Sequence, residues 1–243
     1  DRPNLVARLP GGDAPGLLLY GHVDVVPTTG QEWSHPPFSG LVDDGYVWGR
    51  GALDMKGGVT MMLSAFLRAA AEDAELAGDL VLMIVSDEEG GGDHGAAFMV
   101  EEHPEVFEGV EYAIGEFGGF SAEIAGERFY PIQVNEKQVC WLRATFRGVG
   151  GHGSRPRTKS ALSDMARAVS AVAENRLPVV ITPTVEELVE SIAGELAPEV
   201  GDEVPALLDP ERTDEVLDAL GDEGELFDAI LHDTANPTVV RGG

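Results

Sequence analysis

Four clusters of acidic or imidazole side chains hold most of the chemistry this chain could do. His22 and Asp24 stand two residues apart, just past the apolar run Leu17–Tyr20. Asp54 comes just ahead of a helical pattern. Asp87-Glu88-Glu89 ends a second apolar run, and Glu116 follows the short strand-like stretch Val110–Ile114. Imidazole and carboxylate donors suit Zn²⁺ and its first-row neighbours. Residues i and i+2 of an extended strand share a side. Asp24 can therefore accept from the second ring nitrogen of His22 and fix its tautomer. Glu88 and Glu89 are adjacent at a strand end and point different ways. One can bind metal while the other stays free as a base, the arrangement that metal-assisted hydrolysis requires.

Taken singly, each cluster has an ordinary explanation: a local polar contact, a helix N-cap at Asp54, a solvated turn. Their shared position, at or past strand ends, favours one metal site. Other candidates are weaker. The stretch Gly151-His152-Gly153-Ser154 misses the spacing of a nucleophile elbow. No phosphate- or dinucleotide-binding glycine motif is present. His35, His94, His103 and His232 lie in polar or loop contexts and read as surface residues. The lone Cys140 sits in an alternating segment and reads as core; it leaves no partner for a disulfide or a cysteine-built zinc site.

The elements that must position these residues read as α/β. Leu17–Tyr20 is a continuous apolar run, as in a strand buried on both faces; Asp79–Ser86 reads as another fully buried strand and Val110–Ile114 as a further short buried one. Between them, Lys56–Glu72 carries apolar residues at helical period, and Gly95–Glu102 reads as a second helix. Residues 28–49 form a loop rich in proline, glycine and aromatics, expected to pack over the sheet edge. Strand, helix, strand, helix, strand implies a largely parallel sheet. Ligands of such sheets bind beyond the carboxyl ends of the strands. After Glu116 the pattern changes. Phe129–Val134 reads as an edge strand, Val139–Phe146 alternates with period two, Lys159–Arg176 is a helix, and Pro237–Arg241 begins a strand. Residues 184–231 are acidic and weakly helical. A boundary near Asn135 divides the chain into an α/β part, 1–135, and an α+β part, 136–243.

The net charge of −27 argues against nucleic acid and anionic membranes as partners. No apolar run is long enough to cross a membrane, so a cytoplasmic location is expected. Only three of the sixteen basic residues are lysines, Lys56, Lys137 and Lys159. Apolar residues interleave with the acidic ones at helical spacing, which implies an acidic solvated surface suited to a salt-rich, halophilic cytoplasm.

The motifs GHVDVVP, WSHPPFSG, DGYVWGRGALDMKGG, SDEEGGG, GEFGGF and GVGGHGSRP, in this order, resemble the M20 family of metallohydrolases. That family includes carboxypeptidases, dipeptidases, aminoacylases, deacetylases and desuccinylases. The resemblance implies a zinc-exopeptidase-like catalytic domain with a mostly parallel sheet, followed by an α+β lid and dimerisation domain. It implies two Zn²⁺ ions, with Co²⁺ or Mn²⁺ possible. His22 and Glu116 would hold one ion, Glu89 the other, and Asp54 would bridge both. Glu88 would be the general base, Asp24 would orient His22, and His152 would match the lid histidine that stabilises the oxyanion across a homodimer. The implied reaction is attack of a bridging water on the amide carbonyl of a peptide or N-acyl amino acid. The family's last metal ligand, a histidine near the C-terminus, has no counterpart here, and both domains are expected to be incomplete. Three alternatives stay open: a non-catalytic binding or scaffold homologue, a single-metal hydrolase, and a fragment inactive by itself for lack of that ligand.

Overall fold

The computed structural model describes residues 2–118, 120–155, 157–201 and 203–242. They form two compact units, Asp1–Gly118 and Gly119–Gly243.

The first unit is built on a four-stranded sheet. Its strands are β1 (Leu5–Leu9), β2 (Ala14–His22), β5 (Gly78–Val85) and β6 (Val110–Ile114). They lie in the order β1-β5-β2-β6. β2 runs parallel to both β5 and β6, and β1 is an antiparallel edge. Between β2 and β5 come a small hairpin, β3 (Leu41–Asp43) with β4 (Tyr46–Trp48), and helix α1 (Gly58–Ala71). Helix α2 (Ala96–Glu102) links β5 to β6.

The apolar runs of β2 and β5 are continuous because these two inner strands are covered on both sides. Leu19 and Leu82 pack with Phe66 of α1. Their neighbours Leu18, Val81 and Met83 face the other way and pack with Met99 of α2. Consecutive residues of one strand thus serve opposite layers. β6 departs from the expectation of a buried strand: it lies at the sheet edge, and Tyr112 and Ile114 are exposed. The sheet is mostly parallel, as the sequence predicts, and His22 aligns with Val85 at the shared carboxyl edge.

α1 can lie this close to β2 because residue 21 is glycine. A Cβ there would meet Val59 Cγ2 at 2.8 Å and Met55 Cε at 3.0 Å. Ahead of α1, Ala52–Gly57 forms a wide turn rather than a regular helix start. Asp54 has extended torsions within it (φ −108°, ψ 102°), and the helix cap is Gly57. Asp54 is therefore not an N-cap. The loop expected over the sheet edge holds the β3–β4 hairpin instead, with Val42, Tyr46 and Val47 exposed. Its contacts are largely internal, such as Arg50 over the Trp33 ring and His35 against Trp48.

The second unit has a hairpin, β7 (Ala122–Ile124) with β8 (Glu127–Phe129). Its turn residues Ala125 and Gly126 both have positive φ, as a tight hairpin needs. Among the described residues, five α-helices follow: α3 (Ala161–Glu174), α4 (Pro183–Glu195), α5 (Pro198–Gly201), α6 (Thr213–Leu220) and α7 (Glu225–Leu231). A capping box between Ser160 and Ser163 starts α3. The core gathers Val189, Leu207, Leu217, Phe227 and Leu231 around Ile124 of the hairpin. The acidic stretch is thus a helical bundle whose apolar positions are buried.

Several expectations for this half are corrected. The edge strand stops at Phe129, and Val139–Phe146 and Pro237–Arg241 form no strand. A strand needs a neighbour to pair its backbone groups, and none lies beside these segments among the described residues. Cys140 is consequently exposed, not core. His232 is the reverse case. It is buried, with Nδ1 2.9 Å from Asp228 Oδ1 and Nε2 3.2 Å from Asp214 Oδ1. No described helix is long and apolar enough to cross a membrane.

Candidate metal centre

β2 delivers His22 to the carboxyl edge of the sheet, where its side chain is fully buried (0 % exposed). Its Nδ1 lies 3.1 Å from the backbone carbonyl of Asp24. A carbonyl can only accept, so Nδ1 carries the proton, and Nε2 of the neutral ring presents a lone pair. That lone pair faces carboxylates. Asp54 Oδ1 is 3.0 Å away, Glu116 Oε2 3.3 Å and Glu88 Oε2 3.7 Å. Lone pair against carboxylate is repulsive unless a proton or a cation stands between them. Among the described residues, no lysine or arginine ion-pairs with Asp54, Glu88 or Glu116. The donor set therefore fits a divalent cation, by its geometry and by its uncompensated charge.

Two groups have ligand atoms that lie within 4.8 Å of one another. One is His22, Glu88 and Glu116; the other is His22, Asp54 and Glu89. Six of the seven residues singled out in the sequence belong to this one neighbourhood: His22, Asp24, Asp54, Glu88, Glu89 and Glu116. The seventh, His152, is in the second unit. It is exposed, and its Nδ1 lies 2.8 Å from Ser154 Oγ.

Asp24 does more than its spacing suggested. The expected contact between its carboxylate and His22 is long, 3.6 Å to Nδ1, and the backbone carbonyl serves the ring instead. The carboxylate accepts the backbone N–H of Glu88 (3.1 Å) and that of Glu89 (3.0 Å). One aspartate thus ties the loop after β5 to the end of β2.

The titrating groups respond to this crowding. Burial pulls His22 down, but the hydrogen bond to the Asp24 carbonyl and the charges of Glu88, Glu116 and Asp24 outweigh it. The imidazole ends above its ordinary 6.5. Burial pushes Glu88 above its ordinary 4.5; His22 opposes this, while Glu116, Glu89 and Asp24 add to it. Glu89 is raised as well, by burial first and then by the charge of Asp54. All three shifts have the same sign: without a cation, the crowding of these groups favours their protonated forms.

One residue of the loop was missed as a distinct part. Asp87 reads in sequence as the first of three acids, yet it turns away from the site and is buried. Its carboxylate pairs with Arg2 and accepts the N–H of His94 (3.0 Å), and its φ is 123°. Three acids ahead of three glycines cannot all face one site, and that crowding was the only signal of its separate role.

Known proteins resemble this chain in its sequence. A probable carboxypeptidase S-like 2 of Dictyostelium discoideum is 35 % identical over 171 residues, covering 65 % of this chain and 32 % of that protein. A succinyl-diaminopimelate desuccinylase of Marinobacter nauticus is 36 % identical over 174 residues, covering 70 % of this chain and 45 % of that protein. The chain thus spans less than half the length of either relative. Among solved structures, human carnosine dipeptidase 1 is 30 % identical, with a TM-score of 0.41 over 46 % of this chain and 25 % of its own. Residues 18–208, from the middle of β2 into the helical bundle, match the model of peptidase family M20/M25/M40, and the chain belongs to that family.

Proposed function

We propose that the protein is a metal-dependent amide-bond hydrolase acting on a peptide or an N-acyl amino acid, with Glu88 as general base. The observation that carries this reading is the lone pair of buried His22 facing the carboxylates of Asp54, Glu88 and Glu116. His22 and Glu116 would hold one cation and Glu89 a second, with Asp54 between them. Two Zn²⁺ suit these donors, and Co²⁺ or Mn²⁺ would also fit. Bound there, the cations would polarise an amide carbonyl and acidify a water.

The chain's own residues do the rest. The Asp24 carbonyl holds the Nδ1 proton of His22, keeping Nε2 available to a cation. Glu88 takes the proton of the attacking water and hands it to the amine nitrogen as the C–N bond breaks. Its raised pKa suits a group that must both accept and return a proton. His152 would donate to the developing oxyanion from the lid. Residues 1–135 would be the catalytic part and 136–243 the lid, through which two copies would dimerise. The charge of −27 supports a halophilic, cytoplasmic setting. The presence of His22, Asp54, Glu88, Glu89 and Glu116 together favours a catalytic role over a scaffold.

The test is zinc content together with hydrolysis of a panel of dipeptides and N-acyl amino acids, N-succinyl-diaminopimelate included. Stoichiometric zinc and turnover abolished by a chelator are expected. Zinc bound with no amide cleaved would favour the scaffold; no zinc bound would remove the metal centre.

A further inference from the structure

The loop that carries Glu88 and Glu89 is gripped from the opposite side by residues far away in sequence. β1 runs antiparallel to β5, so the chain just before β1 lies beside the residues just after β5. The Asn4 side chain spans both ends of the loop there. Its Oδ1 accepts the N–H of Ser86 (3.1 Å), and its Nδ2 donates to the carbonyl of His94 (2.9 Å). Arg2 pairs with the buried Asp87 carboxylate, which also holds the His94 N–H. Within the loop, the Gly92 N–H returns to the Asp87 carbonyl (2.7 Å).

A side-chain amide, a guanidinium and a buried carboxylate thus close a loop rich in glycine, which would otherwise sample many shapes. The closed loop points the N–H groups of Glu88 and Glu89 at Asp24. We propose that Asn4 and Arg2, acting through Asp87, are positioning residues for Glu88 and Glu89. They hold the Ser86–His94 loop in the one shape that aims both glutamates at the centre around His22. The inference rests on the hydrolase reading for its consequence in turnover, but not for the geometry of the loop.

Its test compares wild type with Asn4→Ala, Arg2→Gln and the conservative Arg2→Lys. Hydrogen exchange of the Glu88, Glu89 and His94 amides is measured in the metal-free protein. The first two variants should speed exchange at these amides about 10-fold or more by freeing the loop, while amides in the middle of β5 keep their protection. Zn²⁺ affinity, read by chelator competition, and kcat should each fall about 10- to 100-fold, with KM little changed. Arg2→Lys should recover most of the loss. Wild-type exchange and wild-type Zn²⁺ affinity in both Asn4→Ala and Arg2→Gln would overturn the proposal. Arg2 is more than half exposed, so Arg2→Gln keeps the test open if Asn4→Ala fails to fold. If the wild type binds no Zn²⁺ and cleaves no amide, the hydrolase reading fails by itself. The exchange rates then still decide whether Asn4 and Arg2 shape the loop.

Discussion

The Asp24 carboxylate accepts the backbone N–H of Glu89 at 3.0 Å, with its second oxygen on Glu88 at 3.1 Å. Neither bond uses the side chains that are expected to do chemistry. They set where those side chains start. Asp24 therefore links two strand ends, through its carbonyl to His22 and through its carboxylate to the loop after β5.

Replacing Asp24 by Ala should lower both zinc affinity and kcat by about 10- to 100-fold. Asn should fall between Ala and wild type, because it keeps one acceptor oxygen and turns an amide N–H₂ toward a donor. Steady-state kinetics and zinc titration of the two variants check this. Equal behaviour of all three proteins would remove the clamp.

The metal-free protein should lose stability as pH rises. His22, Glu88 and Glu89 all have raised pKa values, so the folded state binds more protons than the unfolded one. Their stabilising contribution is fully present below the ordinary values, 4.5 for the glutamates and 6.5 for the histidine, and is lost as pH climbs through the raised ones. Metal binds the deprotonated groups and reverses the trend. Melting temperatures from pH 5 to 8, with and without Zn²⁺, should diverge as pH increases. A metal-free melting temperature that rises with pH would contradict the proton-holding site.

Gly21→Ala places a methyl 2.8 Å from Val59 Cγ2 and 3.0 Å from Met55 Cε. α1 must move away, and the turn carrying Asp54 must follow. A loss of about 1–3 kcal/mol in urea unfolding is expected, with weakened zinc binding. Unchanged zinc affinity would mean that the turn is positioned independently of α1.

Salt should stabilise the protein. At a net charge of −27 the acidic surface repels itself, and the Debye length shrinks from about 10 Å at 0.1 M to about 3 Å at 1 M salt. The melting temperature should rise between these conditions; equal values would count against a surface adapted to salt.

Much of the first unit was legible because its physics is local. A strand covered on both faces must be apolar throughout, and Leu17–Tyr20 and Asp79–Ser86 announced themselves that way; Val110–Ile114 is a strand as expected, but at the sheet edge and largely exposed. Parallel pairing then put His22, Glu88, Glu89 and Glu116 on one edge. What stayed hidden depends on contacts across long sequence separations. The turn of Asp87 toward Arg2 and the span of Asn4 from Ser86 to His94 leave no periodic trace. The same limit explains Cys140. Val139–Phe146 alternates as a strand does, but alternation does not supply a pairing partner, and Cys140 is exposed. His232 sits beside acids in the sequence, yet burial in the helical bundle sets its surroundings.

The most direct test of the hydrolase reading is Glu88→Gln, with zinc content and turnover measured on the same preparation. Glu88 Oε2 lies 3.7 Å from His22 Nε2, beyond the Asp54 and Glu116 oxygens, as suits a base rather than a ligand. The expected result is wild-type zinc content with turnover lower by about 100-fold or more. Turnover close to wild type would contradict the role given to Glu88, and loss of zinc along with activity would make it a ligand instead.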